Sequence, residues 1–264
     1  MNKLFDITDN VVVITGGTGV LGRCIAKYLA LEGAKVIILG RKEDVGNAIV
    51  DDIKKAGGQA EFIKADVLQQ EQMEQVCNDI VTRYGRVDTL LNAAGGNIAG
   101  AVIQPQGTIF DLSAEDFDRV VRLNLTGTVI PTQIFLKPMV KQGKGNIINF
   151  ASMSSFRPIT RVCGYSAAKA GVVSFTEWMA GECGKKFGEG IRINAIAPSY
   201  SATGLIADFN KAISPDGSDE GGAAIMQEMF LKSWNGRPGT SEDMGYPLVV
   251  IGSKLFGYMS GHIT

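Results

Sequence analysis

Six short apolar runs alternate with longer stretches of helical spacing, and this alternation restricts the fold more than any other feature. The runs are Val11–Thr15, Lys35–Leu39, Ala60–Lys64, Val87–Asn92, Gly145–Ala151 and Ile191–Ala197. Each is apolar almost throughout, the pattern of a strand covered on both faces of a parallel sheet. Between them lie helical segments near Leu21–Glu32, Glu43–Ala56, Glu71–Tyr84, Ala114–Thr126 and Tyr165–Phe187. The order predicts an α/β fold. It is a doubly wound parallel (Rossmann) sheet with helices on both sides, three layers α/β/α, in one domain spanning 1–264.

Two regions break the alternation. Residues 96–107 are rich in Gly, Gln and Pro, and residues 199–235 carry the turn-like Ser214-Pro215-Asp216-Gly217-Ser218 and one helical piece near Ala223–Lys232. Both follow the carboxyl ends of strands, the edge where open α/β sheets bind ligands. The longer one is therefore expected to act as a substrate loop or lid.

The first strand runs into Gly16-Gly17-Thr18-Gly19-Val20-Leu21-Gly22 and then a helix. Gly17, Gly19 and Gly22 fit G-x-G-x-x-G, whose glycines allow a tight turn and bring a helix N-terminus against a pyrophosphate. Alone that pattern is weak, but its place between strand and helix makes a dinucleotide site the expected reading. About 20 positions on, an acidic residue would bind the ribose 2′-hydroxyl of NAD. Here that neighbourhood holds Gly40, Arg41 and Lys42. A missing carboxylate and a present guanidinium favour a 2′-phosphate, hence NADP(H), with NAD(H) possible.

What the chain lacks narrows the chemistry. Its single histidine, His262, lies near the end of the sequence and reads as a solvated side chain. That is a poor place for the base of a Ser-His-Asp hydrolase or a catalytic zinc ligand, so no metal is expected. A net charge of −1 offers no basic excess for nucleic acid or an anionic membrane. The opening residues lack a signal-peptide pattern, and no apolar stretch approaches the ~18–20 residues of a bilayer span. Cys24, Cys77, Cys163 and Cys183 are far apart, without a CxxC pair, and read as reduced thiols of a cytoplasmic enzyme.

The segment from Ser152 to Lys169, with Tyr165-Ser166-Ala167-Ala168-Lys169 at its end, resembles the active-site stretch of the short-chain dehydrogenase/reductase family. That family has a serine after its fifth strand and a Tyr-x-x-x-Lys pair on the following helix. The resemblance runs from about Val11 to Thr203. It includes Thr15-Gly16 and Gly22, Asp66-Val67, Asn92-Ala93-Ala94-Gly95, Asn124, and Pro198 with Thr203. It implies an NAD(P)-dependent oxidoreductase acting on CH-OH groups, with Tyr165 as proton donor and acceptor. Ser152 would hold the substrate oxygen, Lys169 the nicotinamide ribose, and Asn124 a water-linked proton path. Asp66 would meet the adenine amino group and Val67 flank the ring. The stretch from Asn92 through Ala93 and Ala94 to Gly95 would line the cofactor, and Thr203 beside Pro198 would contact the carboxamide. Simple chemistry agrees. Residues four apart share a helix face, and an ammonium beside a phenol favours the phenolate.

Three departures from the family pattern stand out. Val20 takes the place of the middle glycine, Ala93 replaces a second asparagine, and Ser199 replaces the glycine after Pro198. The sequence given ends at Gly261-His262-Ile263-Thr264, where the family continues through a last strand and tail. Either an unusual sheet edge or a further tail is expected. The family often forms tetramers around that edge, so a homo-oligomer, tetramer or dimer, is anticipated.

Within the family, Thr15–Gly22, Ala94–Asn97 and Ser214–Ser218 are most similar to D-mannonate oxidoreductases (fructuronate reductases), with gluconate 5-dehydrogenase-like members near them. A keto-sugar acid needs a cation for its carboxylate and hydrogen bonders for its hydroxyls. Arg157, with Arg161 second, is expected to meet the carboxylate and Asn97 a hydroxyl, beside Ser152 and Tyr165. Solvated or intersubunit arginines are the alternative for both. Other readings are a reductase of another carbonyl, such as a 3-oxoacyl thioester, or a cofactor-sensing binding protein without chemistry. Asn124, Ser152, Tyr165 and Lys169 together argue against the last.

Overall fold

A computed structural model describes residues 5–104, 106–198, 241–253 and 257–264. The expected loop at 199–235, its helical piece near Ala223–Lys232, and Thr203 lie outside the described residues.

The strands β1 (Val11–Thr15), β2 (Lys35–Gly40), β3 (Gln59–Lys64), β4 (Thr89–Asn92), β5 (Gly145–Phe150) and β6 (Ile191–Ile196) form one sheet. It is six-stranded, in the order β3-β2-β1-β4-β5-β6, and every pairing is parallel. The chain builds outward from β1 to β3, then returns to lay β4 on the other side of β1. The crevice between the carboxyl ends of β1 and β4 is therefore the topological switch point, where such sheets bind ligands.

Successive strand residues point to opposite faces, so sequence parity decides which core each joins. Val11, Val13, Ile37, Leu39, Leu90 and Ile147 pack with Met73, Val76, Phe135, Met139 and Cys183. The helices on that face are α3 (Gln70–Tyr84), α5 (Gly127–Lys141) and α6 (Cys163–Phe187). Val12, Ile14, Val36, Ile38, Leu91 and Ile148 pack instead with Ile25, Leu29, Val50, Ile53, Leu248 and Ile251. These come from α1 (Val20–Leu31), α2 (Glu43–Lys55) and the last described helix, α7 (Ser241–Gly252). The two faces together make the three-layer arrangement.

Three features differ from the expected pattern. β3 is only half-buried, with Gln59 and Lys64 exposed, because it is the outer strand. The helix expected to end at Thr126 continues: α4 (Ala114–Val121) passes through a π-helical turn at Arg122–Thr126 into α5. Pro131 and Pro138 lie inside α5 and hide it from a propensity reading, but Phe135 and Met139 are fully buried there. Burial of such side chains, ~1.5–3 kcal/mol each, outweighs the missing backbone donors. Finally, residues 261–264 run beside β6, with Ile263 pairing Ala195 in parallel. The Ala195 and Ala197 amides donate to the carbonyls of His262 and Thr264.

The four cysteines are free thiols. Among the described residues, no helix is long and apolar enough to cross a membrane.

Candidate active site

The loop after β1 turns on Gly16. Its φ is +64°, and a Cβ there would stand 2.6 Å from the Ala94 backbone. Gly17 donates to the Leu39 carbonyl at 3.2 Å, which draws the loop onto β2. A Cβ on Gly22 would fall 2.5 Å from the Gly16 carbonyl oxygen, so only glycine lets α1 approach the turn. Gly19, expected to be one of the pattern's key glycines, is less constrained, with 3.3 Å of room. The steric demand falls on Gly16 and Gly22, where backbone stands in the way, and on Gly17, whose Cβ would stand 2.8 Å from Ile38 Cγ2. Gly19 also caps α1 in extended backbone with no side-chain acceptor, leaving the first amides of the helix, at Val20 and Leu21, directed out of the turn. Uncapped helix amides beside glycines that admit no side chain form a cradle for a phosphate. Residues here fit a dinucleotide.

At the end of β2, Gly40 is buried, and a Cβ on it would meet the Thr18 side chain at 2.8 Å. Arg41 and Lys42 follow, both exposed. After β3, Val67 is buried and Asp66 partly so. Asp66 is also a turn former, since its Oδ1 accepts from the Leu68 amide at 3.0 Å.

The Asn92 side chain is held inside the fold. It is 1% exposed, and its Nδ2 donates to Thr132 Oγ1 at 2.8 Å and to Asn149 Oδ1 at 2.9 Å. Asn149 in turn donates to Thr176 Oγ1 at 2.9 Å. Its side chain therefore ties β4 to β5 and the helices behind. A strand polar residue covered on both faces must find partners inside. Asn149, Thr132 and Thr176 were not singled out from sequence, though an asparagine inside an apolar run is the signal that could have found them.

The chain after β4 reaches the site itself. The Ala94 amide donates to Thr15 Oγ1 at 3.2 Å. At Gly95 an added Cβ would lie 2.6 Å from Asn124 Oδ1 and 3.3 Å from Lys169 Nζ. Asn124 is fully buried in the π-helical turn, a local widening often found at functional positions. Its Nδ2 donates to the carbonyls of Gly96 and Val120, and its Oδ1 accepts from the Gly96 amide at 3.0 Å.

Ser152 follows β5 and opens a short 3₁₀ turn, where its hydroxyl accepts from the Ser154 amide. The Pro198 carbonyl accepts from the Met153 amide at 3.1 Å and so anchors the end of β6 to this turn. The Ser152 side chain stands near the Tyr165 phenol, and the Lys169 ammonium stands 5.7 Å from the Tyr165 ring centre. Lys169 is buried, with its Nζ donating to the Phe150 carbonyl at 2.6 Å. Burial raises the proton affinity of the Tyr165 phenol, only partly offset by the nearby Ser152 side chain. Burial also pushes Lys169 down to about 8. The expected lowering of Tyr165 by its lysine is thus reversed in the protein alone, because both groups lose water and neither favours its charged form. The resting phenol keeps its proton.

Arg157 is exposed, Arg161 half-buried and Asn97 half-buried. Arg161 Nε donates to the Ile103 carbonyl at 2.6 Å, so this guanidinium is engaged by the chain itself. Asn97 Oδ1 accepts from the Ile98 amide.

Comparisons with known proteins agree with this geometry. Residues 10–214 match the family model described as short chain dehydrogenase. The uncharacterized oxidoreductase UxuB of Bacillus subtilis is 40% identical over 207 residues, 75% of this chain and 73% of its own length. Levodione reductase of Leifsonia aquatica is 36% identical over 233 residues, 88% of this chain and 84% of its own. A crystal structure of a proposed D-mannonate oxidoreductase of Haemophilus influenzae, with bound NAD, superposes with a TM-score of 0.85 at 32% identity. It covers 98% of this chain and 93% of that one. A proposed NAD(P)-dependent gluconate 5-dehydrogenase of Beutenbergia cavernae, with NADP at low occupancy, superposes with a TM-score of 0.83 at 30% identity. Here the coverage is 98% of this chain and 96% of that one.

Proposed function

The chain belongs to the short-chain dehydrogenase family of oxidoreductases, and from that membership we propose that it moves a hydride between NADP(H) and a keto/hydroxy sugar acid of the fructuronate/D-mannonate kind. The observation that carries the reading is the grouping of Ser152 and Tyr165 beside a buried Lys169.

A reduced nicotinamide dinucleotide supplies the hydride when bound, its phosphates on Gly16–Gly22 and its adenine beside Asp66 and Val67. Ser152 holds the substrate carbonyl oxygen. Tyr165 gives its phenolic proton to that oxygen as negative charge develops there, and the protonated phenol of the resting protein suits this direction. Lys169 stabilises the phenolate left behind, and water anchored near Asn124 returns the proton. In the reverse direction the phenolate accepts it. Residues 199–235 serve as the substrate-side loop of a single domain in a homo-oligomer.

For the cofactor, Gly40 and Arg41 carry the preference. A carboxylate at position 40 would collide with Thr18, whereas the exposed Arg41 is open to a 2′-phosphate. Arg41→Ala should lower kcat/KM for NADPH by about 10–100-fold, the loss of a charge-assisted hydrogen bond, and leave NADH nearly unchanged. Equal losses with both cofactors would remove Arg41 from that role.

For the substrate, Arg157 is exposed on the segment between Ser152 and Tyr165, and Asn97 is half-buried just after the turn that follows β4. Arg157→Ala should raise KM for a sugar acid by about 10–100-fold and spare neutral ketoses. An unchanged KM would sink the assignment. A second reading, reduction of an apolar cyclic ketone, has support of its own. Met153 and Phe156 stand exposed beside Ser152, and levodione reductase is a relative. Reduced-nicotinamide absorbance, followed with NADPH and NADH against fructuronate, tagaturonate, 5-ketogluconate, neutral ketoses and apolar ketones, separates the two. Turnover of apolar ketones alone would discard the sugar acid and keep the hydride chemistry.

A further inference from the structure

We propose that Arg161 is a positioning residue, a latch that holds the segment 96–104 as one wall of the substrate cleft and so fixes how Asn97 meets the substrate. This rests on the hydride-transfer reading of the site.

The segment is fastened at two places. At one end Asn124 brackets Gly96, giving a hydrogen bond to its carbonyl at 2.7 Å and taking one from its amide at 3.0 Å. At the other end Arg161 does the same for Ile103. Its Nε donates to the Ile103 carbonyl at 2.6 Å, and its own carbonyl accepts from the Ile103 amide at 3.0 Å. Between the two clasps a short 3₁₀ turn, Ala99–Ala101, seats Ala101 at 1% exposure.

Arg161 holds this position in a costly backbone conformation. Its φ is +71°, and among the described residues Asp9 alone of the other non-glycines shares that sign. Left-handed backbone is unfavourable for a side-chain-bearing residue by roughly 1–2 kcal/mol. Glycine would take that conformation at no steric cost, so something about the arginine side chain offsets the strain. The Nε bond across to Ile103 is the visible candidate, and it engages this guanidinium with the protein's own backbone where a substrate carboxylate was expected.

The wall so held has a defined polarity. Asn97 is the residue after the Asn124 clasp, and its Oδ1 is taken by the Ile98 amide at 3.0 Å. With Oδ1 turned to the Ile98 amide and keeping one further lone pair, the group can offer its Nδ2 to a substrate as a donor. A donor fixed at that place suits an oxygen-rich substrate, with a hydroxyl or carboxylate oxygen accepting.

Hydrogen exchange and kinetics on Arg161→Gly test the latch. Glycine adopts the left-handed backbone freely, so thermal stability should not fall, while amide exchange at Ala101–Ile103 should quicken about tenfold with α6 unaffected. KM for a keto-sugar acid and for a neutral ketose of equal length should rise by the same factor, about tenfold, with kcat and cofactor affinity within about threefold. Arg161→Lys keeps the charge but lacks the Nε donor and should not restore KM. Arg161→Asn, which also tolerates left-handed backbone, should behave like the glycine variant. Unchanged exchange overturns the latch. So does a KM rise confined to the acid and repaired by Lys, which would make Arg161 a carboxylate ligand. If the parent enzyme reduces no sugar acid, that substrate reading fails, and the exchange result still decides the latch.

Discussion

Tyr165→Phe lowers kcat by about 10²–10⁴-fold, the usual span for removing a general acid, while cofactor affinity stays within about twofold. The substitution deletes one oxygen atom, and that oxygen stands near Ser152 at the cleft. The ring stays, so Lys169 keeps its aromatic neighbour and the phosphate cradle at Gly16–Gly22, on the other side of the crevice, is untouched. Losing one hydrogen-bonding hydroxyl costs about 1 kcal/mol of stability, a small shift in a melt. Steady-state oxidation of reduced cofactor gives kcat, and fluorescence titration gives its dissociation constant. A variant that reduces carbonyls at the parent rate would leave the proton without a source and remove Tyr165 from the mechanism.

Lys169→Met should abolish most turnover and, at the same time, reverse a pH trend in stability. In the folded chain the ammonium is buried and its pKa falls from 10.5 to about 8. Below about pH 8 the folded protein holds a desolvated ammonium that the unfolded chain would keep in water. At 1.36 kcal/mol per unit this destabilises the fold by about 3 kcal/mol. Between about pH 8 and 10.5 the folded chain has released the proton and the unfolded chain still binds it. More protons on the unfolded state means that stability rises with pH through this window. The Met variant has no such proton. Its stability relative to the parent should therefore decline by about 3 kcal/mol from pH 7 to pH 10.5. Met also leaves the Phe150 carbonyl without its donor, a fixed cost of roughly 1–3 kcal/mol that does not vary with pH. Tyr165 is present in both proteins, and its ionisation largely cancels in the difference. Urea melts of the two proteins across that range measure it. Parallel curves would mean that Lys169 is not a buried cation at neutral pH, and its role beside the phenol would need another basis.

Legibility in the sequence followed the physics of each part. β1 and β2 were visible because runs such as Val11–Thr15 and Lys35–Leu39 are buried on both faces, and parity leaves no polar gap. α5 was not, because Pro131 and Pro138 mimic a break that burial of Phe135 overrides. In the site, Ser152, Tyr165 and Lys169 were marked by the resemblance of their stretch to the family's, and the four-residue helical spacing of Tyr165 and Lys169 agreed with it. The structural tie of Asn92 was not readable, because a polar residue ending a strand gives no sign that its side chain bonds Thr132 and Asn149. The three glycines at 16, 17 and 19 are indistinguishable as letters, and only the positive φ at Gly16 and its contact with Ala94 show which one makes the turn. Arg161 gave no sign of its left-handed backbone, and its hydrogen-bond partner Ile103 lies far away in sequence.

A crystal structure of the protein with NADPH examines the central claim most directly. The expected result is a pyrophosphate on the amides that open α1, a nicotinamide ribose within hydrogen-bonding reach of Lys169 Nζ, and the nicotinamide ring facing the Tyr165 hydroxyl. A cofactor bound with its ring away from Ser152 and Tyr165, or one that leaves the glycine turn empty, would contradict it.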